Sequence, residues 1–412
     1  MSSRNLIDHA VMREMNLRLI LETLRQSAPK SRAVLAELTG LNKASVSSMI
    51  RDLIAAGLVR EMGVPEMQSE AGRPAINLQL NPEAGYTISA EIGVGYISVI
   101  VIGFNFDIVA QRYESINPET SVDECLKNFT ALLADVYQQA RRFGRRIFGI
   151  AVGVPGLVDM ERGYLLFAPN LQWRDVPLRD MLQPHFDVPI LVSNEANMAA
   201  FGENYFGEGQ HSRLLLYVSA GVGLGGGIVI KGQLLTGATG LASEFGHMTV
   251  VPDGLSCRCG NSGCWETQVS ETALLRRVRE MILAGRRTPL SRWKEQLTIR
   301  HVVNAAEAGD EVANAALAET GRWLGIGLAS LINALNPEHV VFGGSLSVAH
   351  TILVPHIRAE IERRALTWMW DQVSFRIAKH TANAAVMGGA ALIHDRIVTH
   401  PLTWQSSMGY AL

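Results

Sequence analysis

The chain has little of what marks a secreted, membrane-spanning or strongly charged protein. Its 412 residues carry only four cysteines, too few and too unevenly spread for the disulfide framework of a small secreted domain. The net charge is −2, which excludes a global attraction to phosphate. The longest uncharged apolar stretch, residues 214–230, is interrupted by five glycines and falls short of the roughly 20 residues that a membrane span needs. Near the N-terminus Arg4, Asp8, Arg13 and Glu14 interrupt any apolar run, so no signal peptide and no membrane insertion are expected. Internal repeats and low-complexity segments are also missing. What is present is a hydrophobic content of 48%, enough for real cores, in a chain long enough for two or three domains.

Three of the four cysteines are crowded together. Cys257, Cys259 and Cys264 lie within eight positions, shortly after His247. One His and three Cys make a full set for a closed tetrahedral zinc site. Glu244 and Glu266 flank the set, which suggests a structural Zn2+ that staples carboxylates around something polar. The plain alternative is a few buried thiols in a glycine-rich loop. Clustered thiols together with a solitary Cys125 point to a reducing, cytoplasmic setting.

Charge by segment adds a weak asymmetry. Residues 1–80 hold ten Lys/Arg and eight Asp/Glu, a net of +2, which leaves −4 for the remainder. Leu17, Ile20, Leu21 and Leu24 repeat at helical spacing, a second short helix carries Val34, Leu35 and Leu38, and a third buries Val46, Met49, Ile50 and Leu53. Between the second and third stands Thr39-Gly40-Leu41-Asn42, a glycine turn ending in a good N-cap. Helix, short glycine turn and helix form the helix-turn-helix signature. Two strand-like runs after it, Leu58–Glu61 and Ile76–Leu80, make it a winged version. At about 100° per residue, the third helix turns Ala44, Ser47, Ser48 and Arg51 away from its buried side, toward a major groove. Lys43 at its start suits a phosphate, and Arg73 at the wing tip suits a minor groove.

From Tyr86 onward strands alternate with helices, an α/β pattern of two lobes. The run Gly221-Val-Gly223-Leu-Gly225-Gly-Gly227 lies between two apolar strands. Taken alone it fits either a hairpin turn or a backbone cradle for phosphate.

In series the motifs are Glu91-Ile-Gly-Val-Gly95, Gly153-Val-Pro-Gly156, Pro169-Asn170-Leu-Gln-Trp173, Asn194-Glu195-Ala-Asn197, the glycine run, Glu244-Phe-Gly-His247, Cys-x-Cys-x4-Cys, Asn336-Pro337-Glu338, Gly343-Gly344 and Gly388-Gly389-Ala390. This order resembles the ROK family of bacterial sugar kinases and transcriptional repressors, over essentially the whole chain. The N-terminal winged helix is similar to that of the family's repressors for xylose, N-acetylglucosamine and glucose-uptake genes. The resemblance implies an actin-like (ribonuclease H-like), two-lobed sugar-kinase fold behind the winged helix-turn-helix. The expected division is residues 1–82 for DNA binding, 83–195 for the first lobe, completed by 385–412, and 196–384 for the second lobe with the zinc loop and dimerisation helices. It further implies that Asn170, Asn194, Glu195, Glu244, His247 and Glu266 line a monosaccharide site. His247 would then serve both the metal (with Cys257, Cys259 and Cys264) and the sugar.

Two departures from the family's kinases bear on catalysis. Their first loop carries an Asp and a Gly-Gly-Thr that handle magnesium and phosphate, whereas this chain reads Glu91 to Tyr96 without the hydroxyl residue. Their general-base Asp is replaced by Glu195, whose carboxylate is displaced by about one bond, and misplacement by about 1 Å can cost on the order of a hundredfold in rate. The expectation is therefore a sugar-responsive repressor without a catalytic residue, Glu195 standing at a vestigial general-base position. Its partners would be a palindromic double-stranded DNA operator, a monosaccharide effector and further copies of itself as homodimer or tetramer. The alternatives are a hexose kinase with an extra DNA-binding domain and a repressor controlled by a protein partner.

Overall fold

The computed structural model describes residues 9–62, 76–117, 120–293 and 296–404. The chain opens with α1 (His9–Ser27), β1 (Lys30–Ser31), α2 (Arg32–Thr39) and α3 (Lys43–Ala55), then β2 (Val59–Glu61) and β3 (Asn77–Leu80). Leu17, Ile20, Leu21 and Leu24 of α1 meet Val46, Ile50 and Leu53 of α3 in one core. In α2 only Leu35 and Ala36 are buried, while Val34 and Leu38 stay exposed. Gly40 takes the left-handed conformation that ends α2, at φ 70°, where a side chain would be strained. The Asn42 side chain then accepts from the Ser45 amide to start α3. β2 and β3 pair antiparallel, and β1 adds a third strand to the wing on the far side of β3.

The first lobe is built on β4 (Tyr86–Gly93), β5 (Tyr96–Gly103), β6 (Ile108–Ser115), β7 (Ile147–Val154) and β11 (Ile190–Asn194), ordered β11-β7-β4-β5-β6. β4, β7 and β11 run parallel, and β5 and β6 add antiparallel. β4 and β7 are buried along their whole length, as a sheet covered on both faces requires. Helix α4 (Val122–Arg142), capped by Ser121, covers one face with eight buried side chains. A three-stranded flap of β8 (Leu157–Asp159), β9 (Tyr164–Ala168) and β10 (Trp173–Val176) follows β7, and α5 (Leu178–Leu182) leads into β11. From β11 the chain passes directly into α6 (Glu195–Tyr205).

The second lobe repeats the plan with β12 (Leu214–Ala220), β13 (Leu224–Ile230), β14 (Gln233–Leu234), β15 (His339–Gly343) and β16 (Ser374–Ile377), ordered β14-β13-β12-β15-β16. Its helices are α7 (Glu266–Val269), α8 (Glu271–Leu283), α9 (Ile299–Glu307), α10 (Glu311–Leu335), α11 (His350–Arg364) and the single turn α12 (Thr367–Trp370). The last helix, α13 (Ala384–Thr399), returns to the first lobe and packs on β4, β7 and α6. At the α6–α13 crossing a Cβ on Gly202 would lie 2.8 Å from the Gly388 Cα, so the two helices touch backbone to backbone. The glycine run after β12 forms a shorter turn than its length suggests. Gly221 to Gly223 make the turn, and Gly225 to Gly227 belong to β13, against which α6 packs.

The winged domain is continuous with the first lobe. The core of α1 extends into Phe148, Phe201, Tyr205, Ile393 and Trp404. Among the described residues no helix is long and apolar enough to cross a membrane.

Candidate ligand cavity and metal centre

A cavity of about 1010 Å³ separates the two lobes. Glu91, Gly93 and Tyr96 border it from the first hairpin, Asn170 from the turn between β9 and β10, and Asn194 and Glu195 from the start of α6. Gly223, Ser243, Glu244, His247 and Glu266 border it from the second lobe. All six residues expected around a sugar are therefore brought to one cavity, and each has a different local reason to be there.

Asn194 is largely committed to the fold. Its Oδ1 accepts from the Ala196 and Asn197 amides at 2.9 and 3.0 Å, which caps α6, and its Nδ2 donates to the Gly156 carbonyl at 3.0 Å. It borders the cavity with one N–H to spare. Glu266 is held differently. Its Oε2 accepts from the Leu224 amide at 2.9 Å, so the glycine turn presents its backbone to a carboxylate of this chain. A Cβ on Gly223 would stand 2.3 Å from Glu266 Oε2 and 2.7 Å from Asn170 Nδ2, so only glycine lets both side chains occupy that corner.

Glu195 and Glu91 form the electrostatic floor. Burial, reinforced by the neighbouring Glu91, pushes Glu195 up to about 8, and its Oε2 is sealed from solvent with no hydrogen-bond partner among the described residues. Burial pushes Glu91 up to about 7, opposed by the Tyr96 hydroxyl, which donates to its Oε1 at 2.6 Å. Glu244 is also raised by burial, against the pull of His247. Near neutral pH Glu195 thus holds a proton and can donate as well as accept, which suits a ligand hydroxyl.

Tyr96 was not among the site residues expected from sequence. Its ring lies against the first hairpin, where a Cβ on Gly93 would come within 2.2 Å of its Cζ, and it stacks on Tyr113 with centroids 5.5 Å apart. An aromatic following a β-hairpin glycine is too common to signal this from sequence. Ser243, also missed, has φ 74°.

The candidate metal site stands beside this cavity. One donor atom from each of His247, Cys257, Cys259 and Cys264 lies within 4.8 Å of all the others. Cys259 Sγ and Cys264 Sγ are 3.7 Å apart, and Cys257 Sγ is 3.7 Å from His247 Nδ1. A Zn–S bond of about 2.3 Å places neighbouring sulfurs of a tetrahedron about 3.8 Å apart, so the Cys259–Cys264 pair already stands at the spacing a zinc ion needs. Burial raises the Cys257 and Cys264 thiols, and a dication reverses that by favouring the thiolates. His247 turns its Nε2 the other way, 3.9 Å from Glu244 Oε2, so its two ring nitrogens face the thiol cluster and the cavity respectively. Cys264 leads into the fully buried Trp265, whose indole donates to the Trp323 carbonyl at 2.8 Å and roots the loop in α10.

On the winged domain Lys43, Ala44 and Arg51 are exposed and Ser47 and Ser48 half-buried. Ala44, Ser47, Ser48 and Arg51 lie away from the buried side of α3, Lys43 stands at its first turn, and the Ser47 hydroxyl donates back to the Lys43 carbonyl at 2.8 Å. Arg73 lies outside the described residues.

A winged helix fused to an actin-like sugar-kinase fold defines a transcriptional regulator built on a kinase scaffold. The ROK family model matches residues 87–396 and a winged helix-turn-helix DNA-binding model matches residues 16–60; the chain belongs to the ROK family. It is 33% identical to the xylose repressor of Caldicellulosiruptor bescii over 396 residues, covering 96% of this chain and 99% of that one. Among solved structures it is similar to a ROK family transcriptional regulator described as a homologue of the E. coli MLC protein, with a TM-score of 0.83, 30% identity and coverage of 95% of this chain and 98% of that one. It is also similar to a ROK family glucokinase of Streptomyces griseus in complex with glucose and AMPPNP, with a TM-score of 0.66, 32% identity and coverage of 75% and 99%. The glucokinase thus covers three quarters of this chain, whereas the two regulators cover 95% and 96% of it.

Proposed function

We propose that this chain is a repressor that binds a monosaccharide in the interlobe cavity and thereby changes its grip on a palindromic operator. The observation that carries the reading is α6. It begins at Asn194 and Glu195 in the cavity and ends at Tyr205, whose carbonyl accepts from Arg25 of α1 at 3.1 Å. Eleven residues at 1.5 Å each make a rod of about 16 Å from the ligand site to the DNA-reading domain. A ligand that binds better to one arrangement of the lobes than to the other shifts α6, and α1 with it.

In a homodimer two recognition helices must meet half-sites about 34–36 Å apart, so a small change of head position is enough to lose the fit. Zn2+ bound by His247, Cys257, Cys259 and Cys264 would hold the loop that carries Glu244 and leads to Glu266. Retention of a sugar site is supported by the polar groups around the cavity. Loss of phosphoryl transfer is supported by Tyr96, which ties up Glu91 and fills the hairpin tip. Among the relatives that share the whole architecture, the one from Caldicellulosiruptor bescii is named a xylose repressor, which makes D-xylose the first effector to try.

The test is a thermal-shift panel of D-xylose, D-glucose and N-acetyl-D-glucosamine, with and without Mg·ATP. A ligand at a hundred times its dissociation constant adds about 2.7 kcal/mol. Stabilisation by one sugar, indifferent to ATP, is the expected result. A sugar response that requires ATP would replace the sensor with a kinase. Silence across the panel would move control to a protein partner.

A further inference from the structure

Ser243 combines two features that the protein itself does not resolve. It is a non-glycine residue in the left-handed region, with φ 74°, a conformation that costs a side chain energy unless its surroundings compensate. Its hydroxyl oxygen is shielded from solvent and has no hydrogen-bond partner among the described residues, although buried polar groups are otherwise nearly always paired. The residue borders the cavity immediately before Glu244, at the end of a turn closed by the Ala242 amide donating to the Thr236 carbonyl at 3.0 Å. Ser243 thus joins a left-handed backbone, an unpaired hydroxyl and a place on the cavity wall, a combination that suits a hydrogen-bond partner supplied by a bound ligand.

We infer that Ser243 is a ligand-binding and specificity-determining residue whose hydroxyl is satisfied by a hydroxyl of the bound monosaccharide. The inference rests on the sugar-sensor reading above and adds to it a contact that none of the flanking motif residues supplies. A serine hydroxyl both donates and accepts, as does a sugar hydroxyl, so the pair matches in either direction. The side chain has one torsion, and a step between staggered positions re-aims the oxygen. The contact discriminates by default, because a ligand lacking that hydroxyl leaves the serine unpaired.

Calorimetric titration of the zinc-loaded full chain with D-xylose, D-glucose and N-acetyl-D-glucosamine tests it, comparing wild type with Ser243→Ala and Ser243→Gly. Both variants lack the hydroxyl, and each should weaken the sugar that wild type binds by roughly tenfold, about the worth of one hydrogen bond to a buried polar group. Without sugar, Ser243→Gly should melt above Ser243→Ala, because only glycine occupies φ 74° without strain. A variant that binds the same sugar within about twofold of wild type overturns the Ser243 assignment and leaves the sensor reading intact. A wild-type chain that binds none of the three sugars sinks the effector reading itself, and the assignment with it. If Ser243→Ala melts above Ser243→Gly, the strain argument fails regardless of ligand.

Discussion

The Arg25 guanidinium lies 4.1 Å above the Tyr205 ring while its Nη1 donates to the Tyr205 carbonyl at 3.1 Å. One residue of the DNA-reading domain is thereby locked to the last residue of the helix that starts in the ligand cavity. Tyr205 is fixed from behind by its hydroxyl, 2.9 Å from His394 Nδ1, so α6 and α13 present it as a rigid face.

Arg25→Ala removes a cation–π contact and a hydrogen bond together worth about 1–2 kcal/mol. The cavity and the third helix are untouched. Sugar affinity should stay at the wild-type level while the sugar-dependent change in operator affinity shrinks. Titration of an operator duplex, selected from a random-sequence pool, with and without sugar reads both quantities. Unchanged coupling would remove α6 as the route.

Cys259→Ser deletes one of four donors and should drop bound zinc below one per chain, measured by metal analysis after gel filtration. Structural zinc sites contribute directly to folding, so the melting temperature should fall as well. The loop carrying Glu244 should lose protection from proteolysis first. A metal-free variant with undiminished stability and sugar response would refute the staple.

The raised carboxylates give the fold a pH dependence. Glu195 at about 8 and Glu91 at about 7 bind protons more tightly folded than unfolded, where a glutamate titrates near 4.3. Between those limits the native state holds more protons, so their contribution is fully present below about 4.3 and is lost as pH rises through 7 and 8, at up to about 1.4 kcal/mol per pH unit for each group. Glu195→Gln keeps the shape and removes one titration. Urea melts at pH 5.5 and 8 should show the variant losing less stability than wild type over that interval. A variant with the wild-type slope would place the titration elsewhere.

Much of this was legible in the sequence, and the illegible part has a common cause. Helical spacing exposed the α1 and α3 cores because each helix buries one stripe. The thiol cluster was visible because its ligands are close in sequence, and the order of motifs placed six residues at one cavity. What stayed hidden depends on contacts between distant segments. The use of Asn194 as a helix cap depends on the joint of β11 and α6. The Tyr96–Glu91 bond needs the first hairpin folded back, and the left-handed backbone at Ser243 follows from the turn before it. β1 is two residues long, too short for any pattern.

On the DNA face, Lys43 and Arg51 should separate by kind of effect. Lys43 stands at the start of α3; if it meets a phosphate, Lys43→Ala should weaken all duplexes alike and lower the salt slope by about one. Arg51→Ala, if the residue reads a base edge, should cost about 1–3 kcal/mol on the selected operator and relax preference at one position. Binding over a salt series with operator and scrambled duplexes distinguishes them. Equal losses on both duplexes for Arg51→Ala would reassign it to the backbone.

Gly223→Ala tests the corner that joins the two halves of the site. The added methyl would press on Glu266 Oε2 and Asn170 Nδ2 at 2.3 and 2.7 Å, so both must shift, which disturbs the Leu224 amide bond to Glu266. Displacements of about 1 Å are enough to spoil a polar constellation, so sugar affinity should fall by at least about tenfold, the worth of one buried hydrogen bond. The four metal donors are not among the atoms displaced, and zinc content should remain at one per chain. Loss of sugar with retention of zinc would show that the glycine turn serves the carboxylate of this chain, whereas intact sugar binding would mean that Glu266 and Asn170 lie outside the ligand's reach.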